Sequence, residues 1–155
     1  MFKVLVSACL LGEPVRYNGA HKKSAHPAID RWVAEDRVVS VCPEMLGGLG
    51  TPRPPAEIIA DGRVVTPEGD DVTAEFERGA RISAEIAERH AVRLAVLKSN
   101  SPSCGTNVVY DGTFTGTRVP GDGKTTAALR ARGIAVFSED ELDAAEQYLA
   151  SLEHS

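Results

Sequence analysis

The chain has 155 residues, 43% of them hydrophobic and 25% charged, with 17 Lys+Arg against 22 Asp+Glu and a formal net charge of -5. A chain of this length hides about two-thirds of the surface its unfolded form exposes, so one domain spanning residues 1–155 can own a core without disulfide staples. Mild acidity, 5% aromatics and the lack of a Lys/Arg block argue against nucleic acid, and no apolar run reaches the roughly 18 residues of a membrane span.

In chain order, Phe2 to Ser7 is a β-branched apolar run that reads as a buried strand ending just before Cys9. Leu11 to His26 is loop-like, with an Asn18-Gly19 turn signal and a solvated basic cluster of His21, Lys22 and Lys23, and a short helix starts near Pro27. Val38 to Val41 is a second buried strand, again ending at a cysteine, Cys42, and Gly47 to Pro55 is a breaker-rich loop. Asp61-Gly62 marks a β-hairpin between Ile58–Ala60 and Arg63–Val65. From Asp71 to His90 the apolar spacing predicts a helix capped by Asp71, with Glu77/Arg81 and Glu85/Arg89 at i,i+4.

Leu94 to Leu97 is the third buried strand and runs into Ser101-Pro102-Ser103-Cys104-Gly105. Asp111-Gly112 predicts a second hairpin, between Val108–Tyr110 and Thr113–Thr115. Lys124 to Arg132 reads as a helix closed by Gly133, Ile134 to Phe137 as the fourth buried strand, and Ser138 with Glu141 as a capping box for a last helix. Strands alternating with helices predict an α/β fold: a Rossmann-like or flavodoxin-like three-layer sandwich with a mainly parallel sheet and small β-hairpin appendages.

Ligand crevices in such sheets open beyond the carboxyl ends of the strands. Cys9, Cys42 and Cys104 each follow a predicted strand at that end, 33 and 62 residues apart, so topology rather than a local motif would bring them together. Three cysteines cannot all pair within one chain; in a reducing cytoplasm, the expected location, thiols serve metals or chemistry. Three thiolates without an obvious fourth ligand suit a soft metal centre, zinc or iron–sulfur, with one open coordination position; the bland reading of each is a small buried hydrophobe. If Cys42-Pro43-Glu44 is extended, alternation puts the Glu44 carboxylate on the side of the Cys42 sulfur, and Ser101 and Ser103 flank Pro102 in the same way. Tyr17, Asn18, Arg53 and Glu57 lie in loops expected to border the crevice and to grip a heterocycle's polar edge. Gly121-Asp122-Gly123-Lys124-Thr125 superficially resembles a phosphate loop, but Arg118 stands where its first glycine belongs, and a helix amino-terminal turn that holds an anion weakly is preferred.

The runs Val4–Gly12 (VLVSACLLG), Cys42–Gly48 (CPEMLGG), Thr51–Glu57 (TPRPPAE), Ser101–Gly105 (SPSCG) and Tyr110–Gly116 (YDGTFTG) resemble the TudS-type 2-thiouracil desulfurase family over nearly the whole chain. Gly50 stands where the family run has proline, and Lys124 where an apolar residue is more usual. The resemblance implies a [4Fe-4S] cluster on Cys9, Cys42 and Cys104 with one iron not ligated by protein, proton transfer by Glu44 and assistance at the reacting carbon by Ser101. The implied reaction is non-redox hydrolysis of the C–S bond of a small thiolated pyrimidine, releasing hydrosulfide. Two other readings of the same thiols are an iron–sulfur sulfur carrier or redox sensor without turnover, and a three-cysteine zinc hydrolase. The oligomeric state has no signature in the sequence.

Overall fold

The computed structural model describes residues 1–12, 18, 24 and 26–154. Among these, strands β1 (Val4–Ser7), β2 (Val38–Val41), β5 (Leu94–Leu97) and β8 (Ala135–Ser138) form a parallel sheet in the order β2-β1-β5-β8. Successive residues of β1 point to opposite faces and both faces are covered, which is why the strand reads as an unbroken apolar run. Val4 and Val6 pack under α1 (Pro27–Ala34) and α5 (Leu142–Glu153) with Ile29, Trp32 and Leu149. Leu5 packs on the other face, under α3 (Thr73–Arg89) and α4 (Lys124–Ala131), with Ala84, Ala87 and Leu129. The result is a three-layer α/β sandwich. The chain leaves β1 for β2 on one side and later crosses to β5 on the other, so the order of strands reverses at β1.

The helix signals are realised in chemical detail. His26 caps α1 by accepting the Ala28 N–H at Nδ1, which leaves Nε2–H to donate to Asp143 of α5 at 2.9 Å. Arg31–Glu146 and Arg37–Glu153 continue this ladder between the α1 side and α5. Asp71 accepts the Thr73 N–H at 2.9 Å just ahead of α3, but the cap position is Val72, which has no side-chain cap bond; along that helix Arg81 pairs with Glu85, across the two expected pairs rather than within either. Ser138 and Glu141 form both halves of the capping box, and Gly133 takes the left-handed conformation after α4.

Two small antiparallel ribbons stand outside the main sheet: β3 (Glu57–Ile58) with β4 (Val64–Val65), and β6 (Val108–Tyr110) with β7 (Arg118–Pro120). The first is the expected hairpin around Asp61-Gly62. The second departs from expectation, because β6 pairs with Arg118–Pro120 rather than with Thr113–Thr115. Asp111 Oδ1 accepts both the N–H and the hydroxyl of Thr113, and Glu57 accepts the N–H groups of Gly112 and Phe114. Those amides are thus withdrawn from a tight turn, and a wide loop over residues 111–117 forms instead.

Candidate active site

Cys9 lies in the 3-10 turn Ala8–Leu11 that closes β1. Cys42 follows β2, and Cys104 lies in the loop after β5. These are the three strands around the reversal point, so their carboxyl ends deliver all three thiols, none in a disulfide, to one cavity of about 430 Å³. Ser7, the last residue of β1, ties the two central strands together there. Its Oγ accepts the Lys98 N–H at 3.0 Å and its hydroxyl donates to Cys104 Sγ at 3.6 Å.

Cys42 and Glu44 reach the cavity by a route other than the expected one. Pro43 does not continue an extended segment but opens a helical turn, α2 (Pro43–Leu46), with extended Cys42 as its cap residue. The restriction before a proline acts on Cys42 alone, whereas the fixed φ of Pro43 is pre-organised for a first helical position. Met45 and Glu44 amides therefore turn towards the Cys42 sulfur. Glu44 still lines the cavity, and its carboxylate accepts from Arg53 Nη2 at 2.5 Å, both side chains being largely buried. Arg53 Nη1 in turn donates to the Gly50 carbonyl at 2.9 Å. This contact is made by backbone and the space at the Gly50 Cβ position is open, so it does not depend on the side chain at position 50.

The turn α2 is held by a backbone-to-backbone seam with α3. A Cβ on Gly47 would stand 1.9 Å from the Glu75 carbonyl oxygen, and one on Gly79 1.9 Å from that of Pro43. Only glycine permits this approach.

Ser101 accepts the N–H groups of Ser103 and Cys104 at 3.1 and 2.6 Å, capping the turn that carries Cys104. With its oxygen engaged as acceptor, its O–H proton is the group it can offer to the cavity it lines. Ser103, expected beside it, points away. It is 1% exposed, its hydroxyl pairs with Thr125 at 2.8 Å, and its carbonyl accepts the Thr125 N–H. The segment is a turn rather than a strand, so alternation does not apply. The glycine-rich run before α4 follows from the same packing: Gly123, Lys124 and Thr125 donate their N–H groups to the carbonyls of Gly105, Pro102 and Ser103. The amides expected to hold an anion are consumed in bracing the Cys104 loop. Lys124 is not among the described residues lining the cavity.

Of the other expected contacts, Arg53 and Glu57 line the cavity, whereas Asn18 is exposed and is not among the described lining residues. An Asn-Gly pair marks a turn, which carries no information about where the turn points. Tyr17, His21, Lys22 and Lys23 lie outside the described residues. Sequence reasoning missed Ser7, Lys98, Tyr110 and Phe114, all of which line the cavity. Position could have found two of them: Ser7 ends β1 and Lys98 directly follows β5, at the sheet edge where ligands bind. Lys98 Nζ pairs with Glu139 at 3.1 Å.

Burial drives the electrostatics of the thiols. It pushes the Cys104 thiol up to about 12; the negative charges of Glu44, Cys9 and Cys42 add to this, while the Ser7 hydrogen bond opposes it. Burial also raises Cys42, offset in part by the Met45 amide and the Arg53 guanidinium. Buried thiols beside a carboxylate call for a cation, and this donor set suits a soft one. Among the described residues, the only three His, Cys, Asp or Glu donors mutually within 4.8 Å are His26, Asp143 and Glu146. The cysteine sulfurs therefore do not all lie that close, whereas thiolates on one tetrahedral zinc, with bonds of ~2.3 Å, stand ~3.8 Å apart.

The raised Cys104 value has a consequence for the metal-free chain. A folded-state pKa above the unfolded one stabilises below the unfolded value, near 9, and that contribution is lost as pH rises towards about 12. Urea midpoints of the metal-free protein should fall steadily over this range, and Cys104→Ser, which has no titrating thiol, should flatten the dependence.

Fold and pocket together define a doubly wound α/β protein with a thiol-lined cavity where its strand order reverses. The profile of the 2-thiouracil desulfurase family matches residues 4–141. The chain belongs to that family of enzymes. It is 42% identical over 149 residues to the uncharacterized protein YbbK of Bacillus subtilis (strain 168), an alignment covering 90% of this chain and 97% of that one. Its structure is similar, with a TM-score of 0.94 and 49% identity, to the [4Fe-4S]-dependent thiouracil desulfidase TudS, covering 97% of this chain and 99% of that chain.

Proposed function

We propose that this chain is a single-domain [4Fe-4S]-dependent desulfurase of a reducing cytoplasm that hydrolyses the C–S bond of 2-thiouracil or a closely related thiolated pyrimidine. The observation that carries this reading is the convergence of three strand-end thiols and the Glu44–Arg53 pair on one cavity. Cys9, Cys42 and Cys104 would hold the cluster, leaving one iron without a protein ligand. When bound, the cluster supplies a soft Lewis acid for thiocarbonyl sulfur.

The balance is that of a hydrolysis: a C–S bond breaks, a C–O bond to water forms, the carbonyl product takes only the oxygen of water, and the two water protons leave as hydrosulfide and one released proton, with no electron gained or lost. Glu44 takes a proton from the attacking water and returns one to the departing sulfur, and Arg53 keeps the carboxylate turned into the cavity. The Ser101 O–H donates to the polar edge of the heterocycle at the reacting carbon. The heterocycle itself has room in a cavity of about 430 Å³ whose walls include Pro54, Pro55, Tyr110 and Phe114. A sulfur carrier or redox sensor has no use for a proton-transfer pair at its cofactor, and the likeness to a [4Fe-4S]-dependent desulfidase favours the cluster over zinc.

Anaerobic reconstitution with iron and sulfide, then incubation with 2-thiouracil, tests the reading. Uracil and sulfide should appear in equal amounts without added reductant or oxidant. A cluster-loaded protein that releases neither would reject it.

A further inference from the structure

Phe114 is a bulky residue at φ +60, in the left-handed region that aromatic side chains seldom occupy. Such an outlier persists only where its surroundings hold it, and it is a pointer to function. Here the holding groups are explicit. Glu57 Oε1 accepts the Gly112 N–H at 2.9 Å and the Phe114 N–H at 3.2 Å, gripping the loop on either side of Thr113. Asp111, Thr113, Thr115 and Thr117 are joined by side-chain hydrogen bonds of 2.6, 2.7 and 2.9 Å along the loop's exposed edge. Gly112 sits flat on the first ribbon, where a Cβ would come within 2.9 Å of the Ile58 carbonyl and of Ile59. All this fixes the backbone that carries Phe114, a half-buried residue of the wall of the cavity that receives the thiols.

Resting on the desulfurase reading of this cavity, we propose that Phe114 is the aromatic platform on which the planar heterocycle stacks, and that Glu57 is a positioning residue that acts on substrate through Phe114. Stacking needs a π-face and no particular hydrogen-bond pattern, so the platform would serve substrate and desulfurised product alike. It would hold the ring in the ground state and the transition state equally, and its loss should appear in KM rather than kcat.

The test uses the cluster-loaded protein with two probes: 2-thiouracil for turnover, and uracil, which has no sulfur for the iron, for equilibrium binding by calorimetry. Phe114→Leu should raise both the KM for 2-thiouracil and the Kd for uracil ~10–100-fold, the range expected for losing a base–aromatic stack, with kcat changed less than about threefold and the cluster absorption unaltered. Phe114→Tyr should restore both constants, which separates lost stacking from misfolding. Glu57→Ala should reproduce the Phe114→Leu values, Glu57→Gln should recover part of the loss because its amide oxygen can still accept, and the Glu57→Ala/Phe114→Leu double variant should be no worse than either single. Unchanged uracil affinity in Phe114→Leu, failure of the unaltered protein to bind uracil, or single-variant effects that multiply in the double variant would each overturn the proposal. Phe114-dependent uracil binding without sulfide release from 2-thiouracil would keep the platform and reject the reaction; turnover indifferent to Phe114 would do the reverse.

Discussion

Glu44→Gln is expected to lower kcat/KM for 2-thiouracil by ~10²–10⁴-fold, the usual contribution of a placed general acid/base, while iron content and visible absorption stay as in the unaltered protein. Glutamine keeps the shape and can still accept from Arg53, but it cannot relay a proton. The effect should therefore fall on turnover rather than on cluster assembly, and quantifying sulfide and uracil against iron per chain separates the two. Arg53→Lys should show a smaller loss of the same kind, since an ammonium loses the paired guanidinium contacts to Glu44 and to the Gly50 carbonyl. A Glu44→Gln protein within tenfold of the original rate would mean that another group moves the protons, and a sulfur-carrier role would then regain ground.

Gly79→Ala is expected to be among the most destabilising single-methyl additions in the chain. The new Cβ would stand 1.9 Å from the Pro43 carbonyl oxygen, a contact with backbone that no rotamer change relieves. Overpacking of this severity costs ~3 kcal/mol or more, which for a chain of this size corresponds to a loss of about 6–12 °C in Tm. The damage should also reach the chemistry, because the turn pushed away from α3 carries Cys42 and Glu44. Thermal melts with iron determination should show both losses together, with Gly47→Ala behaving alike. Gly50→Ala, with open space around it and no left-handed backbone, is the control that should change neither. A Gly79→Ala protein that melts normally would refute the seam.

What the sequence made legible was the part of the molecule governed by burial on both faces. The apolar runs at Val4, Val38 and Leu94 announce parallel strands, and a cysteine following each places the thiols at the correct sheet edge. Asp61-Gly62, the Ser138–Glu141 box and Gly133 are local chemistry and behave locally. What escaped depends on competition for the same groups. Pro43 could serve an extended segment or a helical start, and packing of Gly47 and Gly79 against opposing backbone decides for the helix. Asp111-Gly112 could close a tight hairpin, but Glu57, more than fifty residues earlier, captures the amides. Ser103 could face the cavity or α4, and the unsatisfied amides at the start of α4 claim its carbonyl. Each outcome rests on a contact between distant segments that no single-sequence pattern encodes.

The cavity is made from two kinds of material. One part belongs to the ends of β1, β2 and β5, where any shift would disturb the core, while the rest comes from the segment Arg53–Ala56, from Glu57 and Tyr110 of the two short ribbons, and from Phe114 and Gly116 of the loop strung between β6 and β7. Relatives can therefore remodel what enters by lengthening or repainting the ribbons without retuning the inorganic end. A family so arranged is expected to diversify its diet faster than its cofactor.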